Sequence, residues 1–346
     1  RCKIILKHEL DKIHNTHPLT LIKCEKSKCG GIKFDLTGAD ILYKAQTRTL
    51  EISMETYLKK MLKKYDMQDC RPLTTPDFEE ANLYADSKEC KFPYRNVVGA
   101  LQWAATCARP DICHSVNVLA RASSNKPTQS MEKCARKVMR YIQGTLDSFI
   151  GYNPEQEKAF YKECAEQANS PENASLTKEQ KEKLVSDEEH TFSDASFGTE
   201  YKTMKSITGT NVYLHGAPIA WKTKVQTVFT SSTTQSEWVS MSEASDFSST
   251  MNGLKNFLLG RDELLPNTGP LWNDNRGAVL NGRKSRHEVD ELQRSSRHVA
   301  LKFGNVTNNG NRILWGGTDF QKSDGLTKSS NLSALRNTLS GPFPVK

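Results

Sequence analysis

The 346-residue chain has no stretch approaching the roughly 18 consecutive apolar residues that a membrane helix needs. Its opening, Arg1-Cys2-Lys3-Ile4-Ile5-Leu6-Lys7, carries too short an apolar core for a signal peptide. These absences point to a soluble protein that is not secreted and resides inside the cell, in the cytoplasm or the nucleus. An initiator Met is also missing, as expected of a processed product or of a fragment whose upstream part lies elsewhere. Cysteine is absent after Cys164, and the nine present are an odd number without a secretory signal, which excludes a disulfide framework and indicates reduced thiols. No CxxC pair occurs, and His14, His17, Cys24 and Cys29 match no standard zinc-finger spacing. Nowhere do two aspartates stand side by side. Hydrophobic residues make up only 36%, yet five Trp, ten Tyr and thirteen Phe are enough to anchor cores, so wholesale disorder is excluded. The length exceeds one domain of about 100–200 residues, and two domains are expected.

Charge marks the boundary between them. The formal net charge is +8, but residues 153–190 hold ten acidic residues against five lysines and little aliphatic pattern. That stretch reads as a solvated acidic linker or insertion with helical pieces. The flanking segments then carry 43 basic and 30 acidic residues, a charge of +13 that is permissive for nucleic acid.

In the first segment, ADILYKAQTRTLEIS reads as a strand, a turn and a strand. Tyr57, Leu58, Met61, Leu62 and Tyr65 recur at helical spacing, with lysines on the opposite face. Two short helices separated by Arg109-Pro110-Asp111 follow, the second capped by Asp111 or its neighbour. A third helix from Thr128 to Tyr141 ends at Gly144-Thr145.

After Thr191 the pattern changes. TFSDASFG, a hairpin around His215-Gly216, and Val225 to Phe229 read as strands. Trp238, Met241, Ala244, Phe247, Met251, Leu254, Phe257 and Leu258 then mark one long amphipathic helix from Glu237 to Leu259. A strand at Pro270-Leu271-Trp272, helices from Arg276 and near Val299–Val306, a strand at Arg312–Trp315 and a last turn opened by Asp324 complete an α/β order. Four acids fall on element ends in this layout: Asp194, Glu237, Asp274 and Asp324. Carboxylates brought together repel one another unless cations bind, and Mg2+, a hard ion taking oxygen ligands, suits them. Two such ions about 3.5–4 Å apart would support phosphodiester hydrolysis.

The strings YLKKMLKKYDMQDCRPLTTP, YRNVVGALQWAATCARPDICHSVNVLAR and MRYIQGT resemble the region after the catalytic palm in Pol polyproteins of copia-type long-terminal-repeat retrotransposons. SDAS, KSITG, GAPIAWKTK, SSTTQSEW, NDN, SSRHV and TDFQKSDGLTK are similar to the ribonuclease H domain that follows it. The resemblance implies a small, mostly helical thumb and connection region over 1–152, the acidic stretch over 153–190, a ribonuclease H-like domain over 191–330 and a tail over 331–346. It implies a mixed five-stranded sheet with helices on its faces.

It further implies an enzyme, an RNA–DNA hybrid ribonuclease in which Asp194, Glu237, Asp274 and Asp324 hold two Mg2+ ions, or Mn2+, and His298 orients the nucleophile or leaving group. Lys202, Lys205, Lys222 and Lys224 flank the proposed strands and could reach phosphates of the hybrid. An active element would place the chain in a virus-like particle. The polymerase of that family needs a Tyr-x-Asp-Asp turn, which this sequence lacks, so the palm is read as lying outside the chain. Thr234-Gln235-Ser236-Glu237 stands where the family writes Thr-Glu-Ala-Glu, Phe303-Gly304 replaces a Tyr-His pair, and Gly325 weakens the last helix start by about 1 kcal/mol. The other class of reading is a non-catalytic remnant or co-opted nucleic-acid-binding protein.

Overall fold

The structure is a computed structural model describing residues 24–27, 30–86, 88–261, 269–284, 297–309, 312–328 and 339–340, without the side chains of 297–301 and 340. His14, His17, Cys2, Cys29 and most of the tail lie outside them. No disulfide joins the described cysteines. No described helix is long and apolar enough to cross a membrane.

The first unit is mostly helical in its elements, as the resemblance implies, but it also carries a sheet that extends beyond the expected hairpin. This antiparallel sheet is built from β1 (Glu25–Lys26), β2 (Ile32–Leu36), β3 (Ala39–Lys44), β4 (Thr49–Ser53) and β5 (Phe149–Tyr152). The expected hairpin is β3–β4, in register from Asp40↔Ser53 to Lys44↔Thr49. β5 has no signal in the sequence because four residues, FIGY, carry no alternation to read. Against this sheet pack α1 (Glu55–Lys64), α2 (Tyr94–Cys107), α3 (Cys113–Arg121) and α4 (Gln129–Gln143). Leu58, Met61 and Leu62 of α1 are buried as the spacing predicts.

Asp111 does not cap α3, whose N-cap is Ile112 with no side-chain bond. It is drawn inward instead, where Arg109, itself held by Thr145, and Tyr141 satisfy its charge.

The acidic stretch is no solvated linker. It folds into α5 (Pro154–Ala168) and α6 (Lys178–Val185), which start on good caps: Asn153 accepts from Gln156 N, and Thr177 with Gln180 forms a capping box. Phe160, Cys164, Ala168 and Leu184 pack on Phe192, Tyr213, Trp272, Leu314 and Phe320 of the second unit. The acids occupy the outer side of the helices, so composition hides a sparse but complete apolar stripe.

The second unit is a five-stranded mixed sheet in the order β10–β9–β6–β7–β8. β6 (Glu189–Ser196), β7 (Ile207–Leu214) and β8 (Ala217–Val225) are antiparallel, whereas β9 (Leu271–Asn273) and β10 (Ile313–Trp315) run parallel to β6. Residues 226–229 are not a strand: Gln226 is buried, donating to Thr208 Oγ1 and Ser236 O, and this anchor takes the chain out of the sheet. One face carries α7 (Thr233–Leu258), with α8 (Arg276–Gly282) and α9 (Arg297–Asn308) beside it. The other is covered by α5 and by the segment ending in α10 (Asp324–Thr327). Strand β11 (Leu339–Ser340) returns to pair with β5, so part of the expected tail belongs to the first sheet.

The existence of α7 matches the expectation, and Met241 and Ala244 of the expected stripe are buried, but the rest of its buried face differs. Ser236, Ser240, Ala244, Ser248, Asn252 and Asn256, each four residues apart, are buried, whereas Leu254, Phe257 and Leu258 are exposed. Small side chains let the helix lie close to β6, and Ser240 Oγ donates to Asp194 O at 2.8 Å. Large residues at those positions would hold it away.

A pH effect follows from the packing of α5. His190, fully buried on β6, accepts from Trp272 Nε1 at 3.1 Å through Nδ1, while its Nε2 lies 3.1 Å from Asp187 O. That arrangement requires a neutral ring, and burial pushes its pKa from 6.5 down to about 4. Between those values the unfolded chain takes the proton and the folded chain does not, so stability rises with pH across the window and falls on acidification. The expected loss from pH 6.5 to 4 is about 3 kcal/mol. It is measurable as a declining stability of the wild type relative to His190→Gln, and NMR should show the ring titrating near 4.

Candidate metal centre and its relatives

β6 and β9 are parallel neighbours paired at Thr191↔Leu271 and Phe192↔Trp272. Continuing that register sets Asp194 level with Asp274, which directly follows β9. α7 begins at Ser232, whose side chain accepts from Gln235 N, and so delivers Glu237 in its second turn to the same place. One carboxylate oxygen from each of Asp194, Glu237 and Asp274 lies within 4.8 Å of the others. Asp194 and Glu237 are buried and Asp274 is partly so.

Each acid is oriented by neighbours. Glu237 accepts from Ala195 N at 3.3 Å and from Asn273 Nδ2 at 2.8 Å. Asp194 accepts from Thr327 Oγ1, and Asp274 from Thr318 Oγ1 at 3.2 Å. Asp324, buried at the start of α10, accepts from Lys328 Nζ at 3.1 Å. It stands beside the compact three-acid group rather than within it.

Burial, reinforced by the Asp274 charge, pushes Asp194 up to about 7. Burial and the Asp194 charge raise Glu237 well above the usual carboxylate range, and burial together with Asp324 raises Asp274. Such a group is costly to ionise and is relieved by a cation. Its donors are all carboxylate oxygens, the set that a hard ion such as Mg2+ takes. The residues therefore fit a divalent metal.

The chain is 26% identical over 219 residues to the retrovirus-related Pol polyprotein from transposon TNT 1-94 of Nicotiana tabacum, covering 60% of this chain and 14% of that protein. To the retrovirus-related Pol polyprotein from transposon RE1 of Arabidopsis thaliana it is 27% identical over 296 residues, 83% of this chain and 18% of the other. Several of its relatives are copia-type Pol polyproteins of transposons. A putative transposon Ty5-1 protein of Saccharomyces cerevisiae is 23% identical over 206 residues, 58% of this chain and 57% of that protein. The chain thus spans less than a fifth of the plant Pol polyproteins it matches. No family model and no solved structure matches it.

The other expected site residues of this Pol-like chain fall elsewhere. Lys202 and Lys205 sit on the β6–β7 loop, over the rings of Tyr84 at 4.2 Å and Phe229 at 5.0 Å. Lys222 and Lys224 lie on β8 in a cleft of about 250 Å³ that faces α7, where Lys224 pairs with Glu243 at 3.1 Å. His298 is in the first turn of α9, and its side chain is outside the described residues. Phe303 packs on Trp238 at 4.3 Å between ring centroids.

Residue order does not single out Asn273, Thr318, Thr327 or Lys328. Asn273-Asp274-Asn275 offers a signal, for the two Asn flanking one Asp serve different ends. Asn273 is buried on Glu237, and Asn275 caps α8 through Ala278 N.

Gly209 on β7 is where α10 touches the sheet. A Cβ there would stand 2.8 Å from Ser323 O and 2.9 Å from Leu326 Cβ. Gly209→Ala is expected to displace α10 with Asp324 and Thr327, costing about 1–3 kcal/mol of stability. Urea unfolding checks the cost, and a weaker thermal stabilisation by Mg2+ checks the displacement.

Proposed function

We propose that the chain is the ribonuclease H-like part of a retrotransposon Pol polyprotein, which hydrolyses the RNA strand of an RNA–DNA hybrid. One observation carries the reading: Asp194, Glu237 and Asp274 converge at the ends of β6, α7 and β9, with Asp324 beside them. The strand order β10–β9–β6–β7–β8, parallel on one side of β6 and antiparallel on the other, supports a ribonuclease H-like domain over 191–330. Residues 153–190 supply one of its helical layers, and residues 1–152 are a connection region.

Asp194, Glu237, Asp274 and Asp324 would hold two Mg2+ ions, which when bound activate a water and stabilise the departing oxygen. The chain's own contribution is placement. Asn273 and the Ala195 amide fix the Glu237 carboxylate, Thr327 fixes Asp194, and Thr318 fixes Asp274. The flanking charge of +13 suits a polyanionic substrate, with Lys202, Lys205, Lys222 and Lys224 as candidate phosphate contacts and His298 as a candidate to orient the nucleophile or leaving group.

The test is incubation of the purified chain with a labelled RNA–DNA hybrid. Cleavage of the RNA strand in Mg2+, none in EDTA, and an intact DNA strand are expected. A hybrid bound but left whole in Mg2+ would sink the nuclease and leave a nucleic-acid-binding remnant.

A further inference from the structure

Three carboxylates close within 4.8 Å, and the fourth, Asp324, is engaged by an ammonium. Lys328 follows α10 directly, its amide donating to Asp324 O at 3.0 Å and its Nζ to Asp324 Oδ1 at 3.1 Å. The backbone that carries it is pinned: Thr327 bonds Asp194, Thr223 Oγ1 donates to Leu326 O at 2.7 Å, and Leu326 is buried in the first unit's core. The Lys328 side chain is half exposed, so its ammonium stands at the mouth of the cluster on a flexible stem.

We propose that Lys328 is a tethered cation holding the place of the second divalent ion. This rests on the reading of the carboxylates as a metal centre. Four carboxylates, one divalent ion and one ammonium leave a single net negative charge. Adding a second divalent ion with the ammonium still in place makes the centre positive, whereas exchanging the ammonium for that ion makes it neutral. The free protein therefore takes one ion, at Asp194, Glu237 and Asp274. The second, on the Asp324 side, enters only as Lys328 leaves Asp324. Lys328 is a positioning residue that acts through Asp324.

Titration of the full chain with Mn2+, following free ion by electron paramagnetic resonance and without nucleic acid, tests this. The wild type should bind one ion, with any second at least about tenfold weaker. Lys328→Met should bind two, Lys328→Arg should match the wild type, and Lys328→Met with Asp324→Asn should return to one. Circular dichroism confirms that each variant is folded. Two equivalent ions in the wild type, or one ion in both the wild type and Lys328→Met, overturns the role of Lys328 while leaving the metal centre standing. No ion in any folded variant removes the metal centre, and the proposal with it.

Discussion

Asp274→Asn is expected to lower hybrid cleavage by about 10³-fold or more, equivalent to about 4 kcal/mol of barrier. The replacement keeps shape and removes one of the three charges that close within 4.8 Å. Asn still accepts from Thr318, so the loop after β9 has no reason to move. Stability should change in the opposite direction. Burial and Asp324 raise the Asp274 pKa, meaning that its ionised form is strained in the metal-free fold. The variant should therefore melt at the same temperature as the wild type or higher in EDTA. Saturating Mg2+ at about 100 Kd should stabilise the wild type by about 2.7 kcal/mol and the variant far less. Loss of cleavage together with a lower melting point in EDTA would mean that Asp274 is structural.

Arg109→Ala should cost about 3–5 kcal/mol, the largest single effect on stability. Arg109 and Asp111 are wholly buried. The guanidinium donates to both oxygens of Asp111 at 2.9 and 2.7 Å, and to Thr145 O at 3.1 Å and Oγ1 at 2.6 Å. Tyr141 OH completes the shell of Asp111 at 2.8 Å. Truncating the Arg strands a carboxylate where water cannot reach it, and Lys cannot reproduce the planar fork. Urea unfolding should rank Arg109→Ala below Arg109→Lys. A double change of Arg109 and Asp111 to Leu should cost less than Arg109→Ala, because no charge is left unpaired. Equal costs for the single and double changes would show that the pair contributes through packing alone.

This quartet shows where reading along the chain stops. Arg-Pro-Asp between two apolar helical runs looks like a helix start, since Pro and Asp favour first turns. Thr145, which decides otherwise, is 36 residues away from Arg109. The same limit applies to α5 and α6. Ten acids among residues 153–190 suggest solvent, yet Phe160, Cys164, Ala168 and Leu184 suffice to cover Phe192 and Trp272. In α7, apolar spacing locates the helix, but close approach to β6 selects the serine ladder as its buried face.

Residue order alone determined the α/β succession of the second unit and the four acids at element ends, because strand alternation, helix periodicity and capping are local. It also carried the likeness to copia-type Pol polyproteins. Only the tertiary structure decided which acids meet. The parallel register of β6 and β9 puts Asp194 beside Asp274, and the small residues of α7 let Glu237 reach them. Lys328 engages Asp324 at the edge of the group. Those are distances between segments far apart in the chain, and they depend on packing that no local pattern encodes.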